Sequence, residues 1–395
     1  MMIKDITTKE LFDLVRNTDT SGLPSLKSVL GNHDLRKYSI EELLSELKHN
    51  PGEILLIDAR SEKEFEESPL PHAVSFPVLT NPERHNVGLI YKNYSKSSAL
   101  WLALEYASPK SEALSVFLKE NNADRKNIIV YCWRGGGRSG YLSKMIYDAG
   151  YIPSVISGGY KSYRQTVNRF FSGKEFPYSL LELSGLTGCG KSELLKSVSN
   201  EIPVIDLEFS AKHFSSLLGH IPYEIRNYSP VPNQSAFEND LYSQIYFNSD
   251  ESSLPVYLIE SESRRIGRME MPEIIYSSLQ KSPAVKIICS IENRIRRIID
   301  DYFGKDMKGI LPMIKIMKEK EGFFRQQLSR KVYDELINLL ENGRVNEFTE
   351  IMIVKYYDLK YRDKGKIPEI VISMDNKEEA EIILKDFYGK FKGRK

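Results

Sequence analysis

Cys132 sits in the segment Tyr131-Cys132-Trp133-Arg134-Gly135-Gly136-Gly137-Arg138-Ser139, whose residue types suit a reactive thiolate. A glycine-rich run lets successive backbone N–H groups turn inward and cradle an anion. A helix starting after the loop adds a partial positive charge, and Arg134 and Arg138 add full ones. All of these favour thiolate over thiol, so Cys132 is expected to have a lowered pKa and to act as a nucleophile. A buried, inert cysteine beside a tight turn is the competing reading, and three glycines with two arginines would be an odd setting for it. Further along, Gly185-Leu186-Thr187-Gly188-Cys189-Gly190-Lys191-Ser192 matches the phosphate-binding loop G-x4-G-K-S at every fixed position. The amides around Gly185, Gly188 and Gly190 are expected to hold a diphosphate, Lys191 to neutralise it, and Ser192 to offer an oxygen to Mg2+. A reactive sulfur and a phosphate cradle in one chain suggest a reaction in two parts.

Each loop needs a strand before it and a helix after it. The apolar runs 54–57 and 127–131 read as buried strands, and 141–149 as the helix after the cysteine loop. The run 180–183 reads as the strand feeding the phosphate loop, with a helix from 193 to 198. Further strands are expected at 203–207, 255–259 and 284–291, and a mostly helical, charged and aromatic region from 292 onward. Ser39-Ile40-Glu41-Glu42 is a capping box followed by apolar positions at helical spacing, stopped by Pro51-Gly52. This alternation is that of α/β folds. The expected organisation is an extension over 1–36, with a short helix at 8–16, a first domain over 37–172, and a phosphate-loop domain over 173–395 with a helical C-terminal part.

Bulk composition limits the partners. The chain has 395 residues, 55 Lys and Arg against 54 Asp and Glu, so any nucleic-acid surface must be a local basic patch. Three cysteines, Cys132, Cys189 and Cys289, have no paired spacing, which argues against a disulfide framework or a zinc site and fits a reducing, cytoplasmic compartment. Cys189 is expected to serve as a small loop residue and Cys289 as core. No apolar run is long enough to span a membrane, and the start has no signal-peptide pattern.

The loop from Cys132 to Arg138 spans Cys-x5-Arg, used both by persulfide-carrying rhodaneses and by cysteine phosphatases. The upstream Leu56-Ile57-Asp58-Ala59-Arg60, Glu64-Phe65 and Leu70-Pro71-His72-Ala73-Val74 resemble the rhodanese pattern, with His72 in place of a usual glycine. The ring size suits a tetrahedral, phosphate-like donor better than a bare sulfide. In the second domain, Glu260 ends an expected strand where P-loop NTPases often place an acid. Glu260 and Glu262 are candidates to hold metal or act as a base, and Arg264 or Arg265 to clamp a phosphate. A charged strand end on a solvated face is the alternative.

A rhodanese-like domain fused to a P-loop domain resembles the tRNA 2-selenouridine synthase family. The likeness extends to Asn81-Pro82-Glu83-Arg84, Val87-Gly88, Tyr91-Lys92, Gly158-Gly159-Tyr160-Lys161 and Arg164-Gln165. In the second domain it includes Ile205-Asp206-Leu207-Glu208, Lys212-His213, Gln234, Phe237-Glu238-Asn239, Glu260 to Gly267, and Tyr356-Tyr357-Asp358 with Tyr361. Phe214-Ser215 stand where the family has Arg-Gly, and Leu359 where it has proline. The resemblance implies conversion of wobble 2-thiouridine in tRNA to 2-selenouridine through an S-geranyl intermediate, with geranyl diphosphate and selenophosphate as substrates. It implies that Cys132, Arg134, Arg138, Ser139 and the three glycines take the selenium donor, that the P-loop takes the prenyl diphosphate, and that Asp206, Glu208, Glu260, Glu262 and Arg264 belong to the second site. No tightly bound cofactor is implied beyond Mg2+, and an enzyme that supplies selenophosphate is a candidate partner.

A tRNA substrate needs phosphate contacts. Candidates are Arg294, Arg296 and Arg297, then Lys315, Lys318, Lys320, Arg325, Arg330 and Lys331, with Tyr356, Tyr357 and Tyr361 for stacking; a solvated helix face with core tyrosines is the alternative. Two other functions remain open at the level of sequence. One is a rhodanese- or phosphatase-like domain joined to a P-loop kinase or NTPase, which requires ATP turnover. The other is a non-catalytic phosphate sensor, which tolerates loss of Cys132.

Overall fold

The computed structural model describes residues 7–31, 34–214, 216–227, 232–249, 255–360 and 365–393; Ser215 and Tyr361 lie outside them. The chain divides into two compact units, Met1–Phe170 and Phe171–Lys395.

The first unit is built on β1 (Lys37–Tyr38), β2 (Ile54–Asp58), β3 (Val74–Ser75), β4 (Asn127–Tyr131) and β5 (Ser154–Ile156). These pair in parallel in the order β1-β5-β4-β2-β3. A parallel sheet needs both faces covered, and all five residues of β2 are buried. The helix Ile40–His49 opens on the expected capping box: the Ser39 N–H donates to Glu42 at 2.8 Å and the Glu42 N–H to the Ser39 hydroxyl at 3.1 Å. Its positions Ile40, Leu43, Leu44 and Leu47 are buried. His72 takes φ 61°, the left-handed region. That is the physical reason a glycine commonly stands in this turn.

Residues 7–31 are more than an extension. The helix Thr8–Arg16 buries Leu11 and Val15 in the same core cluster as Leu55, Ile57 and Leu102 of the first unit. The short helix Leu26–Leu30 packs on Gly137–Asp148, the helix behind the cysteine loop: a Cβ on Gly140 would come within 2.9 Å of Leu30 Cδ1.

The second unit holds β6 (Ser179–Ser184), β7 (Val204–Ile205), β8 (Val256–Glu260), a small antiparallel pair β9 (Arg265–Ile266) and β10 (Met269–Glu270), β11 (Ala284–Ile288) and β12 (Ile370–Ser373). The main sheet runs β12-β11-β6-β8-β7, all parallel. The expected strand over 203–207 stops at Ile205, because the Asp206 carboxylate caps the helix Leu207–Ala211 through the Phe209 N–H at 2.8 Å. The expected strand over 284–291 stops at Ile288 because the helix Ile291–Tyr302 begins. Beyond it, helices pack around Phe303, Phe324, Leu336 and Met352 in a core of their own. One buried acid, Glu182 in β6, is held by Lys366, whose ammonium also donates to the carbonyls of Leu279 and Ser282.

If residues 7–16 belong to the core, Leu11→Ala is expected to lower the unfolding free energy of the first unit by about 3 kcal/mol, the usual cost of a buried leucine cavity. Urea unfolding checks this; a loss indistinguishable from zero would mean the helix is only appended.

Candidate functional site

In the first unit the cysteine loop leaves β4, the central strand of five. Cys132 is buried, its Sγ accepting from the Gly136 N–H at 3.3 Å and lying 3.2 Å from the Ser139 hydroxyl. Burial alone would push the thiol up. The Ser139 hydroxyl and the backbone N–H groups of Ser139, Gly136 and Arg134 outweigh it and hold the thiol below its ordinary value. The helix therefore starts at Gly137, four residues before the expected 141, because the loop's own last turn supplies the donors.

A buried polar platform fixes the loop from below. Arg60 and Asp58 form an ion pair at 2.7 Å with both side chains almost fully buried. The Tyr131 hydroxyl donates to Asp58 at 2.6 Å and accepts from the Leu70 N–H at 3.0 Å, while Arg60 donates to the Ser68 carbonyl at 2.8 Å. With every partner supplied, these buried charges are tolerable. The guanidinium also lies 4.0 Å from the centre of the Tyr160 ring, and Tyr160 stacks on Trp133. Gly159, at φ 58°, explains the Gly158-Gly159-Tyr160-Lys161 motif: a Cβ there would lie 2.2 Å from the Cys132 carbonyl. The Tyr160 and Lys161 N–H groups then bond the Cys132 and Trp133 carbonyls.

The expected charge support from arginine is corrected. Arg138 is paired with Glu64 at 2.6 Å, and Glu64 with Arg84 at 3.1 Å. Despite its burial, Glu64 is held down to about 2, chiefly by Arg138. Arg134 is exposed at the mouth. The thiolate is stabilised by loop hydrogen bonds, with Arg138 already neutralised. Cys132, Trp133, Arg134, Gly136, Gly137 and Arg138 line a groove of about 810 Å³. Alkylation of Cys132 is expected to rise with pH through a midpoint below the ordinary 9.0 of a thiol. Ser139→Ala removes a donor to the thiolate and is expected to raise that midpoint. A midpoint at or above the ordinary value in the native chain would contradict the lowered thiol.

In the second unit the P-loop leaves β6, again the central strand, and the helix Lys191–Val198 follows. Gly185 is forced by crowding: a Cβ there would lie 2.3 Å from the Ile287 carbonyl of β11. Gly185, Gly188, Gly190, Lys191, Ser192, Glu208 and Glu262 line a pocket of about 620 Å³, together with Arg296 and Arg297. The Lys191 ammonium donates to the carbonyls of Gly185 at 2.9 Å and Leu186 at 3.3 Å. Burial would push it down, but Cys189, Glu260, Glu262 and Glu208 hold it above its ordinary value. The Ser192 hydroxyl donates to Glu208 at 2.9 Å.

Glu208, Glu260 and Glu262 each bring an oxygen within 4.8 Å of the others. Glu260 is fully buried with no hydrogen-bond partner on either oxygen. Burial, and then the neighbouring carboxylates, push Glu208 and Glu260 above the usual carboxylate range. A buried carboxyl with no partner, as at Glu260, is costly unless a proton or a cation joins it.

Several expected site residues lie elsewhere. Asp206 is a helix cap outside the three-carboxylate group, and its carboxyl is raised by burial. Arg264 is held by Glu270 at 2.9 Å and Glu273 at 3.1 Å, so it is not a free phosphate clamp. Arg294 is buried, donating to the Thr187 carbonyl at 2.9 Å and to Asp358 at 3.0 Å, which removes it from any RNA surface. Arg297 bonds Glu193, the Met374 carbonyl and the Cys289 sulfur. Arg296 is exposed at the pocket. Tyr356 is core, packed on Phe324. Lys318 pairs with Glu341, and Arg325 with Glu321 and Asp334. Cys289 is only half-buried, donating to Asp375 at 3.2 Å. The roles of Glu64, Arg60 and Asp358 were not assigned from the sequence; the motifs containing them were the only signal.

Comparison with known proteins gives the lineage. A family model described as "tRNA 2-selenouridine synthase AAA domain" matches residues 178–387, and one described as "Rhodanese-like domain" matches 39–166. A tRNA 2-selenouridine synthase of Nitrosomonas europaea is 31% identical over 300 residues, covering 72% of this chain and 74% of the relative. One of Shewanella sp. (strain MR-7) is 29% identical over 329 residues, covering 78% and 86%. A third, of Bdellovibrio bacteriovorus, is 32% identical over 252 residues, covering 63% and 64%. With a rhodanese-like unit carrying Cys132 and a P-loop unit carrying Lys191, the chain belongs to the tRNA 2-selenouridine synthase family.

Proposed function

We propose that this chain replaces the 2-thio sulfur of a wobble uridine in tRNA with selenium, by two successive transfers. The observation that carries the reading is a cradled, activated Cys132 and a P-loop pocket with apolar side chains on part of its wall, in one chain of this family. Phe214, Ile298 and Tyr302 line the same pocket as Lys191, which suits a diphosphate attached to an apolar chain. In the first transfer the base sulfur bonds to C1 of geranyl diphosphate and the C–O bond to diphosphate breaks. The loop amides and Lys191 take up the charge of the leaving group. In the second, the selenium of selenophosphate bonds to C2 of the base, the C–S bond breaks with geranyl thiolate leaving, and water then cleaves the P–Se bond, releasing phosphate and leaving selenium on C2. The ring from Cys132 to Ser139 receives the selenophosphate or the selenium species derived from it. An enzyme that makes selenophosphate is the natural supplier, and the cytoplasm the natural compartment. No helix among the described residues is long and apolar enough to cross a membrane.

The second site also fits a divalent cation. The orphaned oxygens of Glu260, with Glu208, Glu262 and the Ser192 hydroxyl, form an all-oxygen donor set of the kind Mg2+ takes. When bound, the ion would offset diphosphate charge. Asp206 and Arg264 stay outside this set as neighbours.

The test is incubation with 2-thiouridine-containing tRNA, geranyl diphosphate and selenophosphate, followed by mass spectrometry of nucleosides. Cys132→Ser is expected to abolish the selenium product while the geranylated base accumulates. Lys191→Ala is expected to block geranylation first. If neither variant loses a product, the residue roles fall; ATP turnover with no change in the base would favour the kinase or NTPase reading. Mg2+ is expected to raise the melting midpoint of the native chain. Glu260→Gln should raise the metal-free midpoint and remove the Mg2+ response. An unchanged response would place the ion elsewhere.

A further inference from the structure

Beside the cysteine groove, the first unit has a second cavity of about 710 Å³. Its floor is the helix Lys96–Ala107, where Ala99, Ala103 and Ala107 recur every fourth residue and so share one face. Small side chains along that face leave a trough, closed on one side by Leu23 and Leu26 from the N-terminal segment. The cavity adjoins the thiol groove: Leu79, Val87, Tyr91, Gly137 and Arg138 line both. Only two charged side chains line it, Lys96 and Arg138. It is therefore a mostly apolar slot beside the groove that holds the nucleophile, inside the size range of small-molecule sites, roughly 300–1,000 Å³.

We propose that this slot holds the prenyl chain of the S-geranylated base while its C2 is presented to the ring around Cys132. The inference rests on the reading that the selenium step acts on an S-geranyl base. A second protein would cover such a slot without needing the thiol beside it. A base bearing a branched apolar chain needs both at once, and the chain could not be left in water without cost. The N-terminal segment is thereby part of the site. Leu26 is still 42% exposed at the rim, and its Cδ2 would lie 3.6 Å from a Cβ on Gly137, the first residue of the helix that carries Ser139.

The experiment supplies selenophosphate and tRNA already carrying either S-geranyl- or S-methyl-2-thiouridine, which bypasses the P-loop. Native chain is expected to selenate the geranyl substrate at least about tenfold more efficiently, the least that an apolar pocket gives for missing methylenes. Ala103→Phe, which fills the trough, should remove most of that preference by slowing the geranyl substrate alone. Leu26→Ser, at the exposed rim, should move the ratio the same way without a core change. Equal rates on both substrates in the native chain overturn the slot while leaving the S-geranyl reading intact. So does a native preference that survives both variants, or loss of both substrates together in well-folded variants. Failure of native chain to selenate the geranyl substrate, while still selenating free 2-thiouridine tRNA, removes that reading and the slot with it.

Discussion

A short row of backbone N–H groups at the end of a central parallel strand is the constraint on which both units rest. β4 and β6 each stand third among five strands. The end of such a strand lies in the middle of the sheet's carboxyl edge, where loops from both sides converge. Convergence demands that backbone meet backbone without side chains between. Gly159 against the Cys132 carbonyl and Gly185 against the Ile287 carbonyl are the two places where that demand is absolute. Gly159 lies outside the cysteine loop and Gly185 opens the P-loop, and each decides whether its loop can close.

The units differ in how they balance charge. In the first, the charged groups under and beside the loop are paired: Asp58 with Arg60, Glu64 with Arg138. The thiolate is then supported by dipoles and a hydroxyl, which are fixed in place and need not rearrange when a substrate enters. In the second, one ammonium faces three carboxylates. Burial and mutual repulsion raise Glu208 and Glu260 above the usual carboxylate range, a strain that protons, or the cation proposed above, would relieve. In that proposal the diphosphate at Lys191 and the cation at the three carboxylates would support each other's binding.

The sequence was most legible where signals are local. The capping box at Ser39, the strands before each loop, the helix at Thr8–Arg16 and the glycine loops are written in adjacent residues and appear where expected. Partners far apart in sequence were not legible. Arg138 looked like a free charge because Glu64 is 74 positions away, and Arg294 looked like an RNA contact because Asp358 is 64 away. β12 was missed because it is a four-residue edge strand whose apolar run is only Ile370-Val371-Ile372, set in a region otherwise helical in pattern. The buried role of residues 7–31 was hidden by their polar composition, since only Leu11 and Val15 reach the core of the helix they form.

The tyrosine motif near the C-terminal end shows how such a misreading changes the functional map. Tyr356 packs in the helical core, and Asp358 next to it holds Arg294, whose Nε reaches the Thr187 carbonyl in the P-loop. The helical region is thus a brace for the phosphate loop, and Tyr356, packed in its core, cannot also serve as a stacking platform. Lys318 and Arg325 stand at the surface in ion pairs with Glu341 and Asp334. Arg296 differs: it shares a helix with Arg294 and Arg297, but is exposed and faces the pocket that those two help to shape. Of the three neighbouring arginines, the inner two hold the loop and the outer one is positioned to meet an anion entering it.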